Sequence, residues 1–333
     1  MFCRCRPGNR AGKPSAGYRA CRCGADNRRL VRYRNAGCGW EKAAVGKKGL
    51  RVMQVLKNGD RSVSGALEML LNAEAVFFDL DGCVYFGERL ADGALTLLEW
   101  LQGRGKMIRF VTNNSTDTGA QVAARLSHMG LKTPSEQVMT ATELIGLHLL
   151  KLYDRTTLKV IGSRSLHTAL ERAGHRLVPL YSMERADAVV IGRDTAYDYS
   201  KLQAVLEEMD KGTPVLATNP DLFHPGSRGE KVPETGALYS AFEAITGRKV
   251  NYFGKPAPYM FELAMEHCGI KSPELCVMIG DNLQTDIAGG RSAGMKTIWL
   301  YGANRPSPDN QVPLSCRPDF AVPDLQSLSA RIE

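Results

Sequence analysis

No stretch of the chain approaches the ~18 consecutive apolar residues that a membrane-spanning helix needs, so no membrane partner is expected. The opening residues also lack an apolar core of signal-peptide length. With those signals absent, a cytoplasmic location is the expectation, although an Arg-rich, acid-poor segment over residues 1–50 also has transit-peptide character. Acids are scarce there: residues 1–52 hold 14 Lys or Arg against Asp26 and Glu41, a net +12. The rest of the chain, with 29 bases against 33 acids, carries −4. The overall +8 therefore belongs to the N-terminal segment, and the body shows no basic patch that would call for a nucleic acid. Cys3, Cys5, Cys21, Cys23 and Cys38 crowd that segment, but the two-residue gap of zinc-binding pairs is missing and no histidine lies nearby. Cys83, Cys268, Cys276 and Cys316 are scattered, as ordinary thiols of a reducing compartment are. Internal repeats and low-complexity tracts are absent as well. Residues 1–68 thus read as a basic, Cys-containing extension, either disordered or upstream of a later start at Met53 or Met69.

What the chain does have is the composition of a soluble globular protein, 44% apolar and 23% charged, with length for one large or two modest domains. From Ala75 onward, strand and helix patterns alternate. Ala75 to Leu80, Met107 to Val111, Cys276 to Ile279 and Lys296 to Leu300 read as strands. A second set follows at Leu158 to Ile161, Ala188 to Gly192 and Pro214 to Ala217. Between them lie helical patterns, among them Asp92–Gln102, Tyr199–Met209, Ala237–Ile245 and Pro258–Cys268. Repeated βα units predict an α/β fold with a doubly wound, mostly parallel sheet.

Four polar clusters stand at predicted strand ends or beside them, where open α/β sheets collect their chemistry. Asp79-Leu80-Asp81-Gly82 closes the first strand; an Asp-Gly turn alone would account for half of it. Thr112-Asn113-Asn114-Ser115 follows a strand and precedes a helix, which suits an anion site or simple helix capping. Gly254-Lys255-Pro256 offers a cation between a flexible and a rigid residue. Asp281 ends a strand, and Asp286 falls in the first turn of the next helix, where a carboxylate also complements the helix dipole. Together they form a set one reaction could use. Carboxylates from two strand ends suit Mg2+, a Thr/Asn site and a Lys neutralise a phosphoryl group, and a remaining carboxylate attacks it.

This ordered set resembles the haloacid dehalogenase superfamily of phosphohydrolases over about residues 72–325. Phe78 to Gly82 matches its first motif, Val111 to Ser115 its second, Lys255 its third and Gly280 to Ile287 its fourth. The gap between Asp81 and the first helix is too short for a cap domain, whereas 141 residues separate Asn113 from Lys255. That spacing is similar to the NagD-like, class IIA branch. The resemblance implies a Rossmann-like core at 70–150 and 250–325, with an inserted α/β cap at 151–249. It further implies a Mg2+-dependent phosphatase for a small phosphorylated metabolite, such as a sugar phosphate, nucleotide, phosphoglycolate, pyridoxal phosphate or 4-nitrophenyl phosphate. Asp79 would be the nucleophile, ionised at an ordinary carboxylate pKa, and Asp81 the acid and base. Mg2+ would be held by Asp79, the Asp81 carbonyl and Asp281, with Asp286 orienting a bound water. Thr112, Asn113, Asn114 and Lys255 would hold the phosphoryl oxygens. His224, in the loop Asn219 to Gly226, would reach the leaving group, although an exposed loop histidine is more often solvated. A homodimer through the cap is the expected assembly. A phosphotransferase, or a non-catalytic phosphate-binding regulator, remains the alternative.

Overall fold

Apolar runs become the buried strands of two parallel sheets in the structure, a computed structural model that describes residues 59–226, 230–302 and 312–332. The chain begins its first sheet with β1 (Ala75–Phe78), makes a small hairpin of β2 (Tyr85–Phe86) and β3 (Arg89–Leu90), and continues with β4 (Met107–Thr112) and β5 (Val138–Thr140). The second sheet takes β6 (Thr157–Ile161), β7 (Arg176–Leu177), β8 (Ala188–Ile191) and β9 (Val215–Ala217). An antiparallel hairpin of β10 (Phe223–Pro225) and β11 (Lys231–Pro233) precedes β12 (Asn251–Tyr252). The chain then returns with β13 (Cys276–Gly280), β14 (Lys296–Leu300) and β15 (Phe320–Val322). Among the described residues the orders are β15-β14-β13-β1-β4-β5 and β12-β9-β8-β6-β7.

β1 shows why its sequence does not alternate. It lies between β13 and β4, with Phe78 level with Ile279 on one side and Phe110 on the other. Val76 and Phe78 enter an apolar cluster with Leu70, Leu97 and Leu101. Ala75 and Phe77 enter another with Ile145, Phe261 and Met265. A strand covered by helices on both faces has no polar side to show. The chain leaves β1 toward β4 and β5, then comes back on the other side at β13. The order therefore reverses beside β1, and the crevice for chemistry opens between the ends of β1 and β13.

Three expectations change. Residues 59–68, assigned above to the extension, belong to a helix, Gly59–Asn72. Val63, Ala66, Leu67 and Leu70 follow the i, i+3, i+4, i+7 spacing, Ala66 and Leu70 are fully buried, and Ser62 Oγ donates to Ala321 O at 2.6 Å. Apolar burial is what keeps that helix on the core; residues 1–58 and their five cysteines lie outside the described residues. The boundary at 250 also moves, because β12 pairs with β9 and carries the second sheet to Tyr252. Finally, the segment from Phe223 is not a loop: it pairs as β10 with β11, His224 facing Val232.

Candidate active site

Asp79 stands one residue beyond β1, where its N–H still donates to Ile279 O at 2.9 Å. Gly82 then turns the chain at φ +87°, and a Cβ there would lie 2.6 Å from Asp281 Oδ2. Glycine is what lets the carboxylate after β13 approach the Asp79–Asp81 turn. On the β13 side, Trp299 Nε1 donates to Asp281 O at 2.8 Å and fixes the strand end. Asn282 Oδ1 caps a π-helical turn, Leu283–Ile287, which points Asp286 inward rather than along an ordinary first helical turn. Asp286 is 1% exposed. Carboxylate oxygens of Asp79, Asp281 and Asp286 all lie within 4.8 Å of one another.

Lys255 reaches this cluster from the end of the second sheet. Its buried Nζ donates to Asp79 Oδ1 at 2.5 Å, Asp286 Oδ1 at 2.7 Å and Val111 O at 3.0 Å. An ammonium has three donors, and all three are engaged. Burial alone would lower the Lys255 pKa, but Asp286 and Asp79 outweigh it and hold it above its ordinary value. Lys255 is therefore a fixed positive charge.

That single charge does not balance three carboxylates. Burial first, and Asp286 next, push Asp79 well above the usual carboxylate range, against the pull of Lys255. Loss of water and the Asp286 charge likewise push Asp281 up to about 7. An ordinary pKa for Asp79 is thus corrected: the carboxylates repel each other in a site with little water. A hard, all-oxygen cluster with excess negative charge fits a divalent cation such as Mg2+, whose charge would restore ionisation. Asp81 is exposed at the same turn; the cleft removes part of its water and raises its pKa, while His224 and Arg125 pull it back.

The strand β4 loop departs from expectation. Both Asn113 Nδ2 hydrogens are engaged, donating to Asp221 Oδ2 at 2.9 Å and Lys255 O at 3.0 Å, while Oδ1 accepts from Lys255 N at 2.8 Å. Asn114 Oδ1 accepts from Thr116 N and Asp117 N, and its Nδ2 donates to Asp117 Oδ2 at 2.9 Å. These amides tie the loop to itself, to Lys255 and to the second sheet. The Thr112 hydroxyl oxygen accepts from Asn114 N at 3.2 Å, and its hydrogen is a donor.

His224 is half-buried on β10, and its Nδ1 donates to Glu234 Oε1 at 2.8 Å. Arg193 NH1 approaches the same oxygen at 3.6 Å. Sequence reasoning missed Glu234 and Arg193, whereas Asp221 and Asn219, whose Nδ2 donates to Asn113 O at 2.8 Å, fall in the segment Asn219 to Gly226 that it picked out. Only the run Thr218-Asn219-Pro220-Asp221 at the end of β9 carried a signal, as polar residues at a parallel strand end. No helix among the described residues is long and apolar enough to cross a membrane.

Comparison with known proteins gives a consistent picture. A family model described as haloacid dehalogenase-like hydrolase matches residues 73–294. Chronophin from Bos taurus is 37% identical over 238 residues, covering 68% of this chain and 80% of its own. The acid sugar phosphatase of Staphylococcus aureus is 32% identical over 263 residues, 78% of this chain and 98% of its own. Among solved structures, the 4-nitrophenylphosphatase of Thermotoga maritima has a TM-score of 0.71 at 31% identity, covering 80% of this chain and 99% of that one. A glycerol phosphate phosphatase from Mycobacterium tuberculosis, solved with magnesium, has a TM-score of 0.69 at 26% identity, covering 78% and 77%.

Proposed function

Since the chain belongs to the haloacid dehalogenase-like hydrolase family, as a phosphoric monoester hydrolase of its NagD-like class IIA branch, we propose that it hydrolyses a small phosphomonoester through an aspartyl-phosphate on Asp79. The observation that carries this reading is the pair of separate acids at the end of β1. Asp79 is buried and clamped by Lys255, while Asp81, two residues on, faces solvent. One is placed to attack and the other to exchange protons with a leaving oxygen or a water.

In the first step an Asp79 carboxylate oxygen bonds to phosphorus as the ester P–O bond breaks, and Asp81 gives its proton to the departing oxygen. In the second, Asp81 takes a proton from a water that adds to phosphorus, releasing phosphate and restoring Asp79. The Thr112 hydroxyl holds the phosphoryl oxygens, and Lys255 keeps its charge beside the same oxygens. The Asp79 and Asp281 carboxylates and the Asp81 carbonyl would hold Mg2+, with Asp286 behind them, and the ion would neutralise charge on the phosphoryl group. His224, oriented by Glu234, lies on the cap side where a leaving group enters. Residues from Thr157 to Tyr252 form that cap and choose the substrate, and the substrate class extends over the small phosphate esters that the relatives' names include.

Asp79→Asn is expected to lose about 10³-fold or more of 4-nitrophenyl phosphate turnover while the circular dichroism spectrum is unchanged. EDTA silences the wild type, added Mg2+ restores it, and inorganic phosphate is the product. Turnover by the Asn variant within tenfold of wild type would remove Asp79 from the nucleophile's role.

A further inference from the structure

Asp81 is an exposed residue in a turn whose neighbours Leu80, Cys83 and Val84 are buried in the core. Cys83 N, Val84 N and Tyr85 N all donate to Leu80 O, and Gly82 N donates to Tyr85 O at 2.9 Å, so the turn closes on Tyr85. Beyond it the β2–β3 hairpin has two residue pairs, too few to be stable alone. Phe86 at its tip is 58% exposed, whereas the Tyr85 ring is 6% exposed. Leu80, Cys83 and Val84 seat the turn on the core, and the Tyr85 side chain is its contact toward helix Gly119–His128.

Arg125, in the last turn of helix Gly119–His128, meets that ring. Its NH2 donates to Tyr85 Oη at 3.0 Å, and its guanidinium carbon stands 5.4 Å from the ring centroid. On its other side, NH1 lies 3.7 Å from Asp117 Oδ2, the oxygen that receives Asn114 Nδ2. Arg125 Nε is buried without a hydrogen-bond partner. The guanidinium is therefore oriented by its contacts to Tyr85 and Asp117. One line of polar bonds therefore runs from the loop after β4, through Asp117 and Arg125, to the turn that carries Asp81.

We propose that Tyr85 and Arg125 are positioning residues, which hold the Asp81 turn in register with the loop after β4 so that the Asp81 carboxyl meets the leaving oxygen. The proposal rests on the reading of Asp81 as proton donor.

A leaving group that is a weak base departs without a proton, and a strong base needs one. The test is therefore kcat/KM, which reports steps up to leaving-group departure, across substituted phenyl phosphates from 4-nitrophenyl to phenyl phosphate. Tyr85→Phe keeps the buried ring and removes the hydroxyl; Arg125→Met removes the guanidinium; Arg125→Lys keeps a charge. In the first two, the loss is expected to grow with leaving-group basicity, from about threefold or less for 4-nitrophenyl phosphate to about 10–100-fold for phenyl phosphate. Arg125→Lys should recover part of it. Equal losses on all substrates, or none, would overturn the proposal, because a merely structural pair does not sense the leaving group. Asp81→Asn serves as reference. If its kcat/KM also shows no dependence on leaving-group basicity, Asp81 is not the donor and the mechanism itself fails; dependence in Asp81→Asn alone defeats only the positioning pair.

Discussion

At Gly280 a Cβ would stand 2.3 Å from Asp286 Oδ2, and at Gly82 one would stand 2.6 Å from Asp281 Oδ2. Each glycine is adjacent in sequence to a catalytic-site acid, yet each makes room for a carboxylate of another segment. Gly280→Ala is expected to push Asp286 off Lys255 and out of the cluster. The predicted result is a 10–100-fold rise, on the order seen when groups supporting metal ligands are removed, in the Mg2+ concentration for half-maximal activity. A Mg2+ titration of turnover measures it, and an unchanged midpoint would mean Asp286 does not support the metal. The residue scale is also where sequence and fold divide the work. Asp79 and Lys255 stand out in the sequence because a carboxylate and a lysine beside apolar strands are expensive to bury without a partner, and the fold pairs them. Asn113 and Asn114 carry the same kind of signal, but an amide can face a ligand or its own backbone, and only the fold decides which.

Elements were legible where their patterns are local. β1 and β13 are continuous apolar runs, β4 and β14 are mostly so, and most helices begin within two residues of the expected point. β5, β7, β12 and β15 were missed because each is two or three residues long and exists only by pairing with a longer strand. The helix Gly59–Asn72 was missed for another reason: its apolar spacing was visible, but a basic leader on one side made it read as a tail. Leu70 is fully buried among Val76, Phe78 and Leu97. Leu70→Ala should cost about 2–5 kcal/mol in urea unfolding, as large-to-small changes in packed cores do. A loss below about 0.5 kcal/mol, typical of surface sites, would detach that helix from the core.

Across the whole molecule, the two sheets meet at a polar knot. Asp221, just beyond β9, accepts from Asn113 Nδ2, and its carboxyl is raised to about 6, chiefly by burial, against the Asn113 hydrogen bond and Lys255. The unfolded value is near 3.9, so between about pH 4 and 6 the folded state binds more protons than the unfolded one. Stability from this group is complete below that window and is lost as pH rises through it. Asp221→Asn removes the titration while its side-chain carbonyl can still accept from Asn113. Its stability relative to wild type should therefore climb from about pH 4 to 6 and level off above. Urea unfolding at a series of pH values tests this, and a difference that does not vary with pH would show that Asp221 is not desolvated at the junction.

By itself the sequence determined which strands are buried, where the acids and the lysine fall on them, and that a second α/β unit lies between Asn113 and Lys255. Those are consequences of local periodicity and of residue type. The tertiary structure decided how the groups balance one another: Lys255 against Asp79 176 residues away, Asn113 against Lys255 142 away, and Asp221 against Asn113 108 away. No pattern along the chain encodes such pairings, because they arise when distant strand ends are stacked in one parallel sheet and its neighbour. The same stacking raises the pKa of Asp79 and Asp281 and turns a row of separate acids into a cluster that fits a cation.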